Sequence, residues 1–309
     1  MTVTVFRFRV KRCIMSRKLY SNNGKFQNNE KPSHKRRTKL SWVKYTLLAM
    51  IAVALLAVMG VSAFLLHNEN AEKDFQKLAA QTSMETAGSV ATTETSVQSS
   101  EPTESSEVEL AAMEPKEILP QYKDLYEQNN EIFGWLTIPD TKIDYPVMYT
   151  PSESEKYLHA AFDGSYSYAG TPFIDINCQP DSQNLLIYAH NMPNGSMFRN
   201  LLKFQEKTYW QKHPTITFNT IYEEGEYEIV AAFYDRLYLE TETDVFKFYY
   251  FIDPETKAEF EEGIAEIKAK ALYDTGIEVN YGDKLITLVT CAYQTTHGRF
   301  AVLARQTAN

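Results

Sequence analysis

An uncharged apolar run, TLLAMIAVALLAVMGVSAFLL at residues 46–66, constrains this chain more than any other feature. A helix of about 20 apolar residues is long enough to cross the hydrocarbon core of a bilayer. Trp42 and Tyr45 precede the run, where an interfacial aromatic belt would lie. The run exceeds the apolar core of a usual secretory signal, and no small-residue cleavage site stands out. We therefore predict a transmembrane signal-anchor helix at residues 46–66, with a cleaved signal peptide as the alternative.

The charge on the two sides of this run is asymmetric. Residues 1–45 hold 13 of the 31 Lys and Arg residues of the chain but only one of its 40 acidic residues. Because basic segments stay on the cytoplasmic side, residues 1–45 are predicted to be a cytoplasmic N-terminus and the rest to be extracellular. Met15 is an alternative start for the same basic segment. A basic head on an acidic body indicates membrane topology, and no nucleic-acid partner is expected.

Residues 67–115 are dominated by Ser, Thr and Glu, as in QTSMETAGSVATTETSVQSSEPTESSEVE at residues 81–109. Such a segment buries too little apolar surface to offset the conformational entropy that it would lose on folding. We predict residues 67–115 to be a disordered tether. Residues 116–309 are then the folded extracellular domain.

Short apolar runs bounded by Gly, Pro and Asn recur through this domain and are typical of β-strands. They are WLTI, IDYPVMY, TPFIDI, NLLIYAH, TITFNTIY, YEIVAAFYD, KLITLVTC and RFAVLAR. So many short strands in one domain favour a mostly β barrel or sandwich over a parallel α/β sheet.

Two segments have helical spacing instead. One is a short apolar stripe that precedes the first strand: Leu119, Tyr122, Leu125 and Tyr126. The other, at residues 253–276, precedes KLITLVTC, and its apolar positions are Phe260, Ile264, Ile267 and Ala271. We predict Asp253 as its N-cap, Pro254 as its first residue and Gly276 as its stop signal.

Cys291 closes the run KLITLVTC and precedes the polar loop residues YQTTHG. A cysteine in such a run is often a small buried hydrophobe. At a strand end, however, the side chain reaches the surface, and a thiol beside a cation becomes a nucleophile. Cys291 is therefore the candidate nucleophile.

Arg299 is the candidate cation. If KLITLVTC and RFAVLAR form a hairpin with the loop 292–298, Cys291 and Arg299 face each other with Cβ atoms about 4.5–5.5 Å apart. Arg305 lies six residues farther along, roughly 20 Å away at the rise of a strand. Arg305 is therefore a poor candidate, and a solvated hairpin charge is the alternative role for Arg299.

The reaction also needs an acid or base, and His190 is the preferred one. It ends the run NLLIYAH and opens a turn, so a rigid strand would hold its side chain beside a loop. His297 is the rival because it lies only six residues from Cys291, but next to Gly298 at a hairpin tip we expect it to be exposed. The remaining histidines after the span are His67, His159 and His213.

Cys13 falls on the predicted cytoplasmic side, whereas Cys178 shares the extracellular side with Cys291. A disulfide between Cys178 and Cys291 is open on this basis, and it would remove the nucleophile. Neither zinc-ligand spacing beside Cys291 nor a phosphate-binding loop is found. We expect no metal and no cofactor.

Taken together, Cys291, Arg299 and His190 resemble the sortases, and class B sortases in particular. TLVTC at residues 287–291 looks like the TLxTC signature of that family, and the GR of Gly298 and Arg299 matches the arginine that follows it. YAHNMPNGSMFRNL at residues 188–201 and FGWLTIPDTKIDYPV at residues 133–147 resemble class B segments. The resemblance covers residues 116–309. It implies a closed sortase-type β-barrel with an N-terminal helix and a long helix inserted before the cysteine strand.

The resemblance also implies an activity. A surface enzyme of a Gram-positive bacterium would use the Cys291 thiolate to cleave a sorting-signal peptide (NPxTN- or SPxTG-like) after Thr. Arg299 would stabilise the oxyanion, and His190 as imidazolium would protonate the leaving amine. The thioacyl-enzyme would then be resolved by an amine of a peptidoglycan precursor, lipid II or a stem peptide. Further substrate contacts are expected from residues around this set: Val289, Thr290, Asn191 and Tyr293.

Two departures from the family pattern concern specificity. Ala189 stands where Gly often precedes the histidine, and Val289 stands where class B enzymes often have Ser. Two other functions remain open: a non-catalytic tethered peptide-binding domain, and an L,D-transpeptidase that cross-links peptidoglycan. The latter enzymes place a His just before the Cys, where this chain has Thr290.

Overall fold

A computed structural model describes residues 39–89 and 116–307. The first element is a single helix, α1 (Lys39–Ser89). Its segment Tyr45–Ala63 has a mean hydropathy of 2.4 and no buried residue, and is long and apolar enough to cross a membrane. The chain divides into two compact units between Ala57 and Val58, within this helix. The predicted cytoplasmic segment lies outside the described residues except for its last seven.

Helix α1 does not stop where the predicted tether begins. It continues to Ser89, and within the second unit the side chain of Phe75 is only 4% exposed. The Phe75 ring packs edge-on against Tyr145, with 5.3 Å between ring centroids. Residues 67–89 are therefore helical where disorder was expected, because apolar residues spaced along one face of the helix pack on the folded domain. Residues 90–115 lie outside the described residues.

The domain that follows is a closed barrel of eight strands. The strands are β1 (Ile132–Thr137), β2 (Asp144–Met148), β3 (Phe173–Ile174), β4 (Asn184–Tyr188), β5 (Thr215–Thr220), β6 (Glu226–Arg236), β7 (Leu285–Cys291) and β8 (Gly298–Gln306). Their order around the barrel is β1-β2-β3-β4-β7-β8-β6-β5, and β5 pairs with β1 to close it. The pairs β2–β3 and β4–β7 are parallel and the others antiparallel. The barrel confirms the mostly β prediction, and every predicted strand run overlaps one of these strands.

The domain also contains short helices outside the barrel strands. The α-helices are α2 (Pro120–Gln128), α3 (Lys207–Trp210) and α4 (Lys257–Lys270), and the 3₁₀ helices are Lys156–Leu158, Phe198–Gln205 and Phe248–Tyr250. Helix α2 contains the predicted stripe except for Leu119, which is its N-cap, and α4 is the predicted helix between β6 and β7.

The N-terminus of α4 differs from its prediction. Thr256 is the N-cap, and it forms a capping box with Glu259 in which each side chain accepts a hydrogen bond from the backbone N–H of the other residue. Asp253 instead accepts hydrogen bonds from the hydroxyl of Ser182 and the backbone N–H of Gln183. The helix ends at Lys270, before Gly276. Asp253 was the wrong cap because partners about 70 positions away in sequence bind its carboxylate.

Two apolar clusters lie on opposite faces of β7 and β8. Alternate residues such as Leu288, Phe300 and Val302 belong to the main core. The residues between them, including Val289 and Ala301, pack with α4 and the 3₁₀ helix Phe248–Tyr250 in a second cluster. The connection from β6 to β7 thus covers one face of these strands. Cys291 lies on the same face, at the end of β7.

Candidate active site

Cys291 and Arg299 are register partners at the end of the β7–β8 ladder. Paired residues of antiparallel strands project to the same face of a sheet with Cβ atoms about 4.5–5.5 Å apart. Arg305 is paired with Leu285 at the other end and forms ion pairs with Glu228 and Asp283. The structure therefore places Arg299, and not Arg305, beside the thiol.

His190 reaches the same place from β4. The parallel register pairs Tyr188 with Val289, and the backbone N–H of Ala189 donates to the carbonyl oxygen of Val289. Two positions farther on, the Asn191 side-chain amide donates to the carbonyl oxygen of Cys291 at 2.8 Å. These bonds hold the end of β4 against the end of β7, so His190 lies level with Cys291.

Cys291, His190 and Arg299 line one cavity of about 570 Å³. Its lining includes Val289, and its walls come from four other places in the chain. These wall residues include Leu158, Phe173, Asp175, Tyr188, Leu237, Tyr238, Tyr249 and Tyr250. A mostly apolar cleft whose lining also holds a thiol, an imidazole and a guanidinium is typical of a ligand-binding site.

Burial lowers the pKa of His190 below its usual range. Desolvation is the main cause, since it disfavours the imidazolium, and the nearby His159 adds to the effect. The carbonyl oxygen of Leu158 opposes this shift, because it accepts a hydrogen bond from Nε2 at 2.9 Å. The resting imidazole is therefore more readily neutral than an exposed histidine.

The guanidinium of Arg299 donates to the carbonyl oxygens of His297 and Gly298. Within residues 39–89 and 116–307 it forms no ion pair with a carboxylate. Its positive charge is therefore available to a ligand in the cavity.

His297 is exposed, and it has a left-handed backbone conformation, with φ of 58°. Its carbonyl oxygen accepts hydrogen bonds from Leu237 and Arg299, whereas its ring does not line the cavity of Cys291. This placement agrees with the expectation that His297 is an exposed residue of the hairpin tip.

The four further predicted contacts are placed differently from one another. Val289 is fully buried in the cavity lining, and Thr290 uses its hydroxyl to donate to the Ala189 carbonyl oxygen. Asn191 lies behind Cys291 and accepts a hydrogen bond from Arg199. Tyr293 is 80% exposed and lines a neighbouring cavity of about 310 Å³, together with His159 and His190.

The aromatic wall of the cavity could not be read from the sequence. Residues 237–250 supply Leu237, Tyr238, Tyr249 and Tyr250, and this connection has no strand or helix period. Tyr188 has a clearer signal, since it lies two residues before His190 on the same strand face. Its hydroxyl is hydrogen-bonded to Asp175, and burial raises its pKa well above the usual range.

Cys178 does not take part in this site. Cys178 is buried and Cys291 is half-buried, and both thiols are free, so the alternative of a disulfide between them does not hold. Burial raises the pKa of Cys178 to about 12, which makes it a poor nucleophile. No group of three His, Cys, Asp or Glu side chains in the described part of the chain is placed to hold a metal ion.

Comparison with known proteins agrees with this fold. The Sortase domain model matches residues 136–307. Sortase B of Listeria monocytogenes is 34% identical over 180 residues, 57% of this chain and 68% of the relative. Sortase B of Staphylococcus aureus is 24% identical over 200 residues, 63% of this chain and 78% of the relative. The crystal structure of sortase B from B. anthracis in complex with AAEK1 has a TM-score of 0.55 at 28% identity, covering 63% of this chain and 90% of that one.

The chain belongs to the sortase family. Its relatives place it among the class B sortases, so it is a cysteine transpeptidase that acts on sorting signals.

Proposed function

We propose that this class B sortase is anchored in the cell membrane by residues 46–66 and joins surface proteins to a cell-wall amine. The observation that carries the chemical part is the convergence of Cys291, His190 and Arg299 on one cavity. Cys291 is the nucleophile, His190 the proton carrier and Arg299 the oxyanion partner. The substrate is a sorting signal of the NPxTN or SPxTG kind, cleaved after Thr.

In the first step the Cys291 sulfur forms a bond to the carbonyl carbon of the substrate Thr. Because the resting His190 is readily neutral, it accepts the thiol proton as this bond forms. The carbonyl oxygen becomes negative, and the Arg299 guanidinium donates hydrogen bonds to it. Stabilisation of a developing oxyanion in a cavity that excludes water is usually the largest catalytic contribution.

In the second step the carbon–nitrogen bond breaks, and the new imidazolium of His190 gives its proton to the leaving amine. In this order of steps, the imidazolium that protonates the leaving amine forms as the Cys291 sulfur attacks. The acceptor amine then attacks the thioester and transfers a proton to His190. The carbon–sulfur bond breaks, and His190 returns this proton to the Cys291 sulfur, which restores the resting state.

The apolar helix and the charge pattern support the proposed location. Residues 1–45 would lie in the cytoplasm, and the barrel would lie outside, near the cell-wall precursors. The acceptor would be an amine of lipid II or of a stem peptide.

The test is to mix the full-length protein in detergent with NPxTN and SPxTG peptides and to measure intact protein mass. We expect an acyl adduct on Cys291 that hydroxylamine releases and that an added peptide amine resolves into a ligated product. Cys291→Ala should form neither adduct nor product. Peptide binding without adduct would indicate a non-catalytic binding domain, and cross-linking of peptidoglycan stems without peptide cleavage would indicate an L,D-transpeptidase.

A further inference from the structure

Asp235 is the last acidic residue of β6 and is the register partner of Arg299 on the far side of β8. Cys291, Arg299 and Asp235 thus form one row across β7, β8 and β6. Because paired residues of antiparallel strands project to the same face, the Asp235 carboxylate lies within reach of the Arg299 guanidinium. An ion pair between them would be the ordinary outcome of this register.

The structure shows a different pairing. Asp235 is bound by Lys270, the last residue of α4, with 2.6 Å between Nζ and Oδ2. The Asp235 side chain is only 4% exposed, and its other oxygen accepts hydrogen bonds from the Tyr238 hydroxyl and the Arg236 backbone N–H. Both carboxylate oxygens are therefore occupied away from Arg299.

The neighbouring cation is also engaged. Arg236 follows Asp235 in sequence but forms a bidentate ion pair with Glu242. Lys270 is thus the cation that neutralises Asp235, and its Nζ is further held by the rings of Tyr238 and Phe246 at 5.8 Å and 5.5 Å from their centroids. Tyr238 is at the same time a wall residue of the active-site cavity.

We propose that Lys270 is a positioning residue for the transpeptidase reaction: by holding Asp235, it prevents this carboxylate from pairing with Arg299. Arg299 then keeps its charge for the oxyanion. This inference rests on the proposed role of Arg299. It also gives α4 a function in catalysis, since the helix delivers its last residue to the row that contains the nucleophile.

The test compares acylation rates of full-length variants with a sorting-signal peptide under single-turnover conditions. Lys270→Met should lower the acylation rate, by up to the roughly 100-fold that loss of an oxyanion donor costs, because the freed Asp235 captures Arg299. Adding Asp235→Asn to Lys270→Met should restore most of that rate, since no carboxylate is left to compete. Lys270→Arg should retain most of the activity.

Lys268→Met is the matched control, because Lys268 lies in the same last turn of α4 and is exposed. It should acylate at the wild-type rate. A double variant no faster than Lys270→Met would overturn the proposal, as would a Lys270→Met protein with the wild-type acylation rate. If Lys270→Met lacks a cooperative unfolding transition, Lys270→Gln replaces it in the same comparison. A wild-type protein that forms no adduct would instead refute the proposed function.

Discussion

The Nε2 atom of His190 lies 2.9 Å from the carbonyl oxygen of Leu158. A carbonyl oxygen only accepts hydrogen bonds, so Nε2 carries the hydrogen in the neutral ring. The lone pair of the resting imidazole is then on Nδ1, the atom to which the proposed mechanism assigns the exchange of protons. The bond to Leu158 thus selects the tautomer that the proposed mechanism needs.

His190 and His297 should respond differently to substitution. We expect His190→Ala to lose about 10²- to 10⁴-fold in acylation rate, the usual contribution of a positioned acid or base. His297→Ala should remain within a few-fold of the wild type, because its ring is exposed and does not line the cavity. Steady-state cleavage of a fluorogenic sorting peptide measures both, and an inactive His297→Ala beside an active His190→Ala would reverse the assignment.

His159 should depress the pKa of His190, because the two ring centroids are 5.3 Å apart and a second positive charge disfavours the imidazolium. His159→Gln is therefore expected to raise the pKa of His190. The protonated form would then persist to higher pH than in the wild type. NMR titration of the His190 ring carbons measures this directly, with His213→Gln as a control, since His213 is bonded to Pro139 and does not contact the site. An unchanged or lowered pKa in His159→Gln would refute the coupling.

Arg299 should tolerate no substitution well. We expect Arg299→Ala to lose about 10²- to 10³-fold in kcat, as for the loss of an oxyanion-hole donor. Arg299→Lys should recover only part of this, since an ammonium lacks the planar fork of a guanidinium. Arg305→Ala, at the other end of the same strand, should keep its kcat when assayed below its unfolding temperature. Equal losses in Arg299→Ala and Arg305→Ala would show that a general effect on β8, and not oxyanion stabilisation, is responsible.

The parts of the site that sequence reasoning located are those set by local geometry. A short loop between two apolar runs forces Cys291 and Arg299 to face each other, and β8 has that register. His190 was selected by its place at a strand end, whereas the parallel pairing of β4 with β7 that brings it to the site joins segments about 100 residues apart and leaves no local pattern. The cap of α4 was misassigned for a related reason, because Asp253 is bound by Ser182 and Gln183 from another loop. Composition likewise predicts disorder after residue 66. A few well-spaced apolar residues such as Phe75 change the average composition of a polar segment very little.

The capping box of α4 should contribute measurably to stability. Thr256→Ala removes the hydroxyl that accepts the backbone N–H of Glu259, and loss of such a cap costs about 1 kcal/mol. A domain of this size should then unfold about 2–4 °C lower. Glu262→Gln is the control, because Glu262 is exposed on the same helix. Thermal unfolding followed by circular dichroism measures both variants, and equal midpoints would show that the cap adds nothing.

Within the second unit, the packing of the C-terminal part of α1 on the barrel should depend on Phe75. Its ring is almost fully buried against Tyr145, and the Tyr145 hydroxyl also accepts a hydrogen bond from the backbone N–H of Met197. Because Met197 continues to hold Tyr145, Phe75→Ala should release the helix without unfolding the barrel.

Hydrogen–deuterium exchange of the full-length protein in detergent distinguishes these outcomes. We expect faster amide exchange in residues 72–82 of Phe75→Ala and little change in β7 and β8. Removal of a buried aromatic ring costs about 3–5 kcal/mol. This loss is larger than the free energy that a short helix segment gains from its own hydrogen bonds. Lys73→Ala is the control on the exposed side of the same turn. Unchanged exchange in residues 72–82 of Phe75→Ala would contradict the packing of this segment on the barrel.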